Sequence, residues 1–197
     1  MAARRLAALG EKGTAAIASG STVPIRILGV DPGLQCTGYG VVESLGAQST
    51  LLEAGVLRPK RDSELESRLL ELHHGLQGIL QQYKPHAMAV EQLYSHYDRP
   101  RTAILMGHAR GVICLAAALE GIPVHHYPST NIKKILTGNG RAPKEQMQTS
   151  VQREFGMAEA PEPHDVADAL AAALCHIYLV VRRLGVEMTS TSGNKSV

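Results

Sequence analysis

IRILGVDPGLQCTGYGVVE, residues 25–43, is the stretch on which the fold turns. Ile25 to Val30 forms an apolar run that stops at Asp31, Pro32-Gly33 turns the chain, and a second strand-like run extends from Gly38 to Glu43. Ser49–Leu57, punctuated by Gly46 and Gly55, reads as a third strand, and connections this short predict an antiparallel meander. Beyond it, Leu65, Leu69, Leu72, Leu76, Ile79 and Leu80 recur at helical spacing within Ser63–Tyr83, and Ser63 with Glu66 reads as a capping box. After Lys84-Pro85, Ala87–Val90 is a short buried strand ending at Glu91. The remaining pattern predicts a helix over Arg101–Leu119, a strand over Pro123–Tyr127, helices over Thr130–Leu136 and Pro143–Phe155, and an Ala/Leu-rich helix over His164–Leu184. Three strands followed by alternating helix and strand make a mixed α/β domain over residues 25–184. Residues 1–24 read as a flexible basic arm and 185–197 as a disordered polar tail.

Composition narrows the function. With 197 residues, 44% hydrophobic and 19% charged, the chain is globular and sized for one core. No uncharged apolar run reaches membrane-spanning length, since the longest, around Val112–Leu119, stops at Glu120; a membrane protein is therefore not expected. Cys36, Cys114 and Cys175 are spaced for neither a disulfide framework nor a zinc ribbon. Aromatic residues at 4% argue against a carbohydrate groove. The net charge of +2 conceals a split: Arg99 to Lys144 holds seven basic residues against the single acid Glu120, while 145–168 is acid-rich. Such asymmetry points to a polyanion partner. A bacterial cytoplasmic protein is the expectation, with organellar import through residues 1–24 as the alternative.

The informative residues are acids in apolar surroundings. Asp31 and Glu91 each end an apolar strand, and Asp165 and Asp168 lie at i and i+3 on the first turn of a helix otherwise built of Val, Ala and Leu. Strand ends of an α/β sheet open on a crevice, and a helix crossing that crevice can add two further carboxylates. Four converging acids call for cations, because buried unpaired carboxylates are costly. Hard oxygen ligands suit Mg2+, with Mn2+ as a substitute, and two such ions about 4 Å apart can activate water and stabilise the leaving oxygen of a phosphodiester.

ILGVDPGLQCTGYGVVE (27–43), AVEQLY (89–94) and PHDVADALAAALCH (163–176), with GHARGVI (107–113) and IKKILTGNGRAPKEQMQ (132–148) between them, resemble in order and interval the motifs of the RuvC Holliday junction resolvases. The resemblance implies a ribonuclease H-like α/β fold: a five-stranded mixed sheet, its first three strands antiparallel, with helices on both faces. It implies a homodimer that nicks opposed strands of a four-way DNA junction symmetrically, leaving 5′-phosphate and 3′-hydroxyl ends, in recombination and repair. The branch-migration proteins RuvA and RuvB are the partners it suggests. The family's metal-binding catalytic acids fall on Asp31, Glu91, Asp165 and Asp168.

Lys133 and Lys144 match family positions associated with DNA contact and catalysis, where an ammonium offsets developing phosphate charge. Lys134 and Arg141 extend the same basic segment. Tyr94 matches an aromatic that stacks at the junction centre. Thr37, Gly38 and Gly40 read as small residues permitting approach of a sugar-phosphate backbone. His164, beside the third acid, reads as an assisting ligand or proton carrier, or as an exposed cap-adjacent histidine. The GHARG stretch reads either as a close-packing dimer contact or as ordinary core. DPG-x3-TG also fits the first phosphate loop of the actin and sugar-kinase superfamily, but that machinery needs a second glycine-rich loop that this chain lacks. A protein that binds junctions without cutting them is the non-enzymatic alternative, which four retained acids oppose.

Overall fold

The computed structural model describes residues 23–92 and 100–181. Its strands are β1 (Ile25–Asp31), β2 (Thr37–Leu45), β3 (Gln48–Leu57), β4 (Ala87–Gln92) and β5 (Val124–Pro128), and its helices are α1 (Leu65–Tyr83), α2 (Pro100–Leu119), α3 (Ser129–Thr137), α4 (Lys144–Phe155) and α5 (His164–His176). The strands form one sheet in the order β3-β2-β1-β4-β5. β1, β2 and β3 pair antiparallel, while β4 runs parallel to both β1 and β5. The expected meander and the later crossovers are both present, and the mixed five-stranded sheet is that of the ribonuclease H-like class. Leu45 pairs with Gln48 across a two-residue turn whose first residue, Gly46, has φ +59°, a conformation glycine adopts without strain.

Each face of the sheet is closed by helices, and strand alternation decides which residues meet which layer. Leu28, Val30, Val41, Met88 and Val90 pack under α1 and α2, which contribute Leu72, Leu76, Ile79 and Leu80, and Ala109, Ile113, Ala116 and Ala117. Ile25, Ile27, Ala87 and Ala89 point the other way, under α5, with Ile132 of α3 and Met147 and Val151 of α4 completing the layer. From Val166 to His176 every residue of α5 except Asp168 is buried, which is why this helix is apolar on all sides.

α5 lies unusually close to the sheet. A Cβ on Gly29 would stand 1.9 Å from the carbonyl oxygen of Ala169, one on Gly38 would stand 1.9 Å from that of Asp165, and one on Gly40 would stand 2.4 Å from the Leu170 side chain. Gly29 pairs with Gly40 and Asp31 with Gly38 across β1 and β2, so the three glycines form one trough beneath the helix. This corrects the reading of Gly38 and Gly40 as room for DNA: the space they open is filled by α5.

Two boundaries differ from expectation, and so does the apolar character of one helix. α1 begins at Leu65 with Glu64 at the cap position and no side-chain cap bond, so the Ser63/Glu66 capping box does not form; the Ser63 amide instead donates to the Lys60 carbonyl at 3.2 Å in the preceding turn. α5 is α-helical only to His176 and continues as a π-helical turn over Ile177–Val181. Arg101–Leu119 is, among the described residues, one helix long and apolar enough to cross a membrane. The charge that interrupts its apolar run, Arg110, is folded back on the sheet, and one face of α2 is core against α1. The arm over residues 1–22 and the tail from 182 onward lie outside the described residues.

Two substitutions test the trough. Gly29→Ala forces a methyl into the α5 backbone and is expected to destabilise the protein by about 3 kcal/mol or more in denaturant unfolding. Gly78→Ala, at an exposed position of α1 with nothing within 4 Å of the added carbon, is expected to stabilise by about 0.5–1 kcal/mol.

Candidate active site

The alternation that places Gly29 and Ala89 beneath α5 also aims Asp31 and Glu91 at it, two residues further along each strand. β1 and β4 keep parallel register to Val30 opposite Val90, so Asp31 and Glu91 come next, side by side. From above, the first turn of α5 brings Asp165 over the Asp31–Gly38 pair, its own Cβ 3.0 Å from where a Gly38 Cβ would be. Asp168 follows one turn on. The loop leading into α5 is fixed by α4, whose Gln148 side-chain amide donates to the Pro161 carbonyl and whose Gln152 amide donates to those of Met157 and Ala158, all at 3.2 Å.

All four carboxylates are half-buried, and their electrostatics record how near they are. Burial, then the charges of Glu91, Asp168 and Asp165, push Asp31 up to about 8. Glu91 is raised by burial and by Asp168, opposed by a hydrogen bond with Ser129 and by Lys133 and Lys144. Asp168 is raised chiefly by burial, with Lys144 the leading opposing charge and Asp165 adding to the rise. Among the described residues no three His, Cys, Asp or Glu groups close on one point as a finished chelate, so the acids gather as charges rather than as a rigid cage. Four clustered oxygen donors, none in an ion pair among the described residues, nonetheless fit a hard divalent cation, which would relieve the repulsion they share.

The remaining expected residues divide. Lys133 on α3 and Lys144 at the start of α4 reach the carboxylates electrostatically. Lys134 and Arg141 stand exposed on α3 and on the loop after it. His164 is exposed at the start of α5, where its charge acts on Asp168. Tyr94 lies outside the described residues. Thr37 requires correction: it is fully buried, and its hydroxyl donates to the Gly33 carbonyl and accepts from the Gly33 amide, so it braces the loop after Asp31 and offers no side-chain surface to DNA.

Two supports of Glu91 were not foreseen. Arg110 of α2 donates through Nη1 to the Glu91 carbonyl at 2.7 Å and meets His126 Nδ1 at 2.6 Å, and Ser129 bonds the Glu91 carboxylate. Arg110 belongs to the singled-out GHARG stretch, but only the packing of α2 against the sheet shows where its guanidinium goes.

The family model described as crossover junction endodeoxyribonuclease RuvC matches residues 27–176. A protein of that description from Rhodopirellula baltica is 56% identical over 153 residues, covering 78% of this chain and 86% of the relative. Another from Desulforamulus reducens is 45% identical over 150 residues, covering 76% and 91%. Among solved structures, Thermus thermophilus RuvC in complex with Holliday junction substrate superposes with a TM-score of 0.76 at 32% identity, covering 81% of this chain and 97% of that one.

The raised pKa of Asp31 makes a stability prediction. Its ordinary value is 3.8, so between about pH 4 and 8 the folded state retains a proton that the unfolded state has lost, and stability falls as pH rises through that window. In buffer containing EDTA, Asp31→Asn is expected to raise Tm at pH 8, the gain shrinking towards pH 4. Adding Mg2+ is expected to raise the wild-type Tm at pH 8 more than that of the variant, as read by thermal melts across pH.

Proposed function

This chain belongs to the RuvC family of crossover junction endodeoxyribonucleases, and on that premise we propose how its own residues make the cut. The enzyme is a structure-selective DNA endonuclease that resolves four-way junctions by hydrolysis in recombination and repair. In this reading Asp31, Glu91, Asp165 and Asp168 hold two Mg2+ ions, with Mn2+ able to replace them; when bound, these supply Lewis-acid activation of water and neutralise charge on the departing 3′ oxygen. Lys133 and Lys144 set ammonium groups at the edge of the carboxylate cluster, where they offset charge on the phosphate as the transition state forms. Lys134 and Arg141 grip the backbone beside it, and His164, at the exposed rim, carries a proton out to solvent. Tyr94 stacks on a base at the branch point. No side chain need form a covalent intermediate, and the products carry 5′-phosphate and 3′-hydroxyl ends. The observation that carries this reading is the juxtaposition of two strand-end acids in register with two acids whose helix sits directly on Gly38.

Symmetric cutting of opposed strands requires two sites held apart at a fixed distance, and α2 offers the surface for a homodimer. Its outward face carries Ile104, Leu115 and Leu119, exposed at 61%, 54% and 65%. Between them lie exposed His108 and Gly111, and neither Gly107 nor Gly111 has an atom within 4 Å of where its Cβ would be, so a second helix can approach backbone to backbone. Of the two readings of GHARG, this surface supports the dimer contact. Action beside RuvA and RuvB in a bacterial cytoplasm completes the reading.

Asp31→Asn, Glu91→Gln, Asp165→Asn and Asp168→Asn are each expected to abolish nicking of a synthetic four-way junction in Mg2+ while leaving junction binding in a gel-shift assay largely intact. Near wild-type cleavage by any one of them would remove that residue from the set. Leu115→Arg is expected to shift sedimentation from dimer to monomer at micromolar concentration and to uncouple the two nicks; a dimer that persisted would place the contact elsewhere.

A further inference from the structure

The loop leaving β1 and the chain leaving β3 enclose a cavity of about 350 Å³ lined by Gln35, Cys36, Arg58, Pro59, Arg61 and Arg68. Three guanidinium groups around one hollow would ordinarily be balanced by acids, yet no carboxylate among the described residues lies within ion-pair distance of any of them. Their partners are neutral. Arg68 Nη2 donates to the Leu34 carbonyl at 3.0 Å, Arg61 Nη2 donates to Gln35 Oε1 at 3.3 Å, and Arg58 bonds the Cys36 thiol. Arg68 Nε is buried and has no hydrogen-bond partner, so this guanidinium is partly stripped of water and its charge is weakly screened. Arginine forks match the oxygens of a phosphate, and an uncompensated set of them around a cavity is a receptor for an anion.

Its place in the sheet says which anion. Asp31 and Glu91 sit at the ends of β1 and β4, and Lys133 stands on α3, which follows β5; the cavity opens towards the other edge of the sheet, where Arg58 follows Leu57 at the end of β3. Cys36 joins the two regions, since it lines the cavity and its thiol feels the charges of both Asp165 and Arg58. β3 lies two strand spacings from β1, about 10 Å, which the backbone of a nucleic-acid strand covers in one or two phosphate steps once the reach of an arginine side chain is allowed for. We propose that this arginine-lined cavity is a phosphate-binding subsite for a phosphodiester of the cleaved strand adjacent to the one that is cut, an inference that rests on the reading of the four acids as the cutting centre. Phosphate contacts of this kind fix the register of the strand without reading its sequence.

The test uses exposed Arg58→Gln and Arg61→Gln in the full-length protein, because Arg68 also braces the Leu34 loop and its loss can disturb folding. In EDTA, binding of a synthetic four-way junction is measured against salt, with neutral methylphosphonates placed one at a time along the cleaved strand. Each variant is expected to lower the slope of log K against log salt by about 0.7–0.9. A single methylphosphonate near the cut is expected to weaken wild-type binding severalfold and to have no further effect on Arg61→Gln. Unchanged slopes, or a methylphosphonate penalty that persists in the variant at every position, would overturn the subsite. Wild-type protein that bound the junction with this signature but failed to nick it in Mg2+ would overturn the nuclease reading of the acids and leave the phosphate pocket standing.

Discussion

Contact between the backbone of α5 and a glycine trough on β1 and β2 is the constraint on which the site depends. A helix normally packs on a sheet through side chains from both, which keeps the two backbones well apart. Here Gly29, Gly38 and Gly40 remove one layer, and Ala169 and Ala173, the residues of α5 set against Gly29, thin the other. The helix therefore descends until its carbonyls nearly touch the strands. That descent brings Asp165 and Asp168 to the level of Asp31 and Glu91. Larger residues in the trough would lift the first turn of α5, and the two pairs of acids would part.

Bringing them together has an energetic cost that the surrounding structure carries. Asp31 is pushed up to about 8 by burial and by its three acidic neighbours, so the cluster resists full ionisation in the metal-free protein. The fold holds it because the acids stand on main-chain elements with little freedom: two strands in register, and a helix wedged between the sheet on one side and α3 and α4 on the other. Repulsion that would scatter four flexible side chains is held in place by the core, and a divalent cation converts the same repulsion into affinity. Stability and function pull in opposite directions at Asp31, as is common where a site is built before its ligand arrives.

Arg110 ties this centre to the surface proposed for dimerisation. Its guanidinium reaches from α2 to the main-chain carbonyl of Glu91, while other residues of α2 turn an apolar face outward. The same helix thus contacts the frame of the site on one side and offers a partner surface on the other.

Read alone, the sequence determined the order and type of the elements and singled out the four acids that the fold gathers. Local alternation, helical spacing and turn residues are visible in a linear pattern, and an acid closing an apolar strand stands out against it. Wherever the deciding contact joins distant segments, tertiary structure decided. Gly38 and Gly40 suggested space for DNA, and only the packing of residues 164–176 shows that a helix fills it. Thr37 suggested a phosphate contact, and its burial against Gly33 shows a brace. Ser63 and Glu66 had the spacing of a cap, yet the turn at Lys60 took the Ser63 amide first. Arg58, Arg61 and Arg68 are unremarkable charges along the chain and become a pocket only when the end of β3, the loop after β1 and the start of α1 meet. Linear patterns record what each residue prefers, whereas the room left beside it is set by residues far away in the chain.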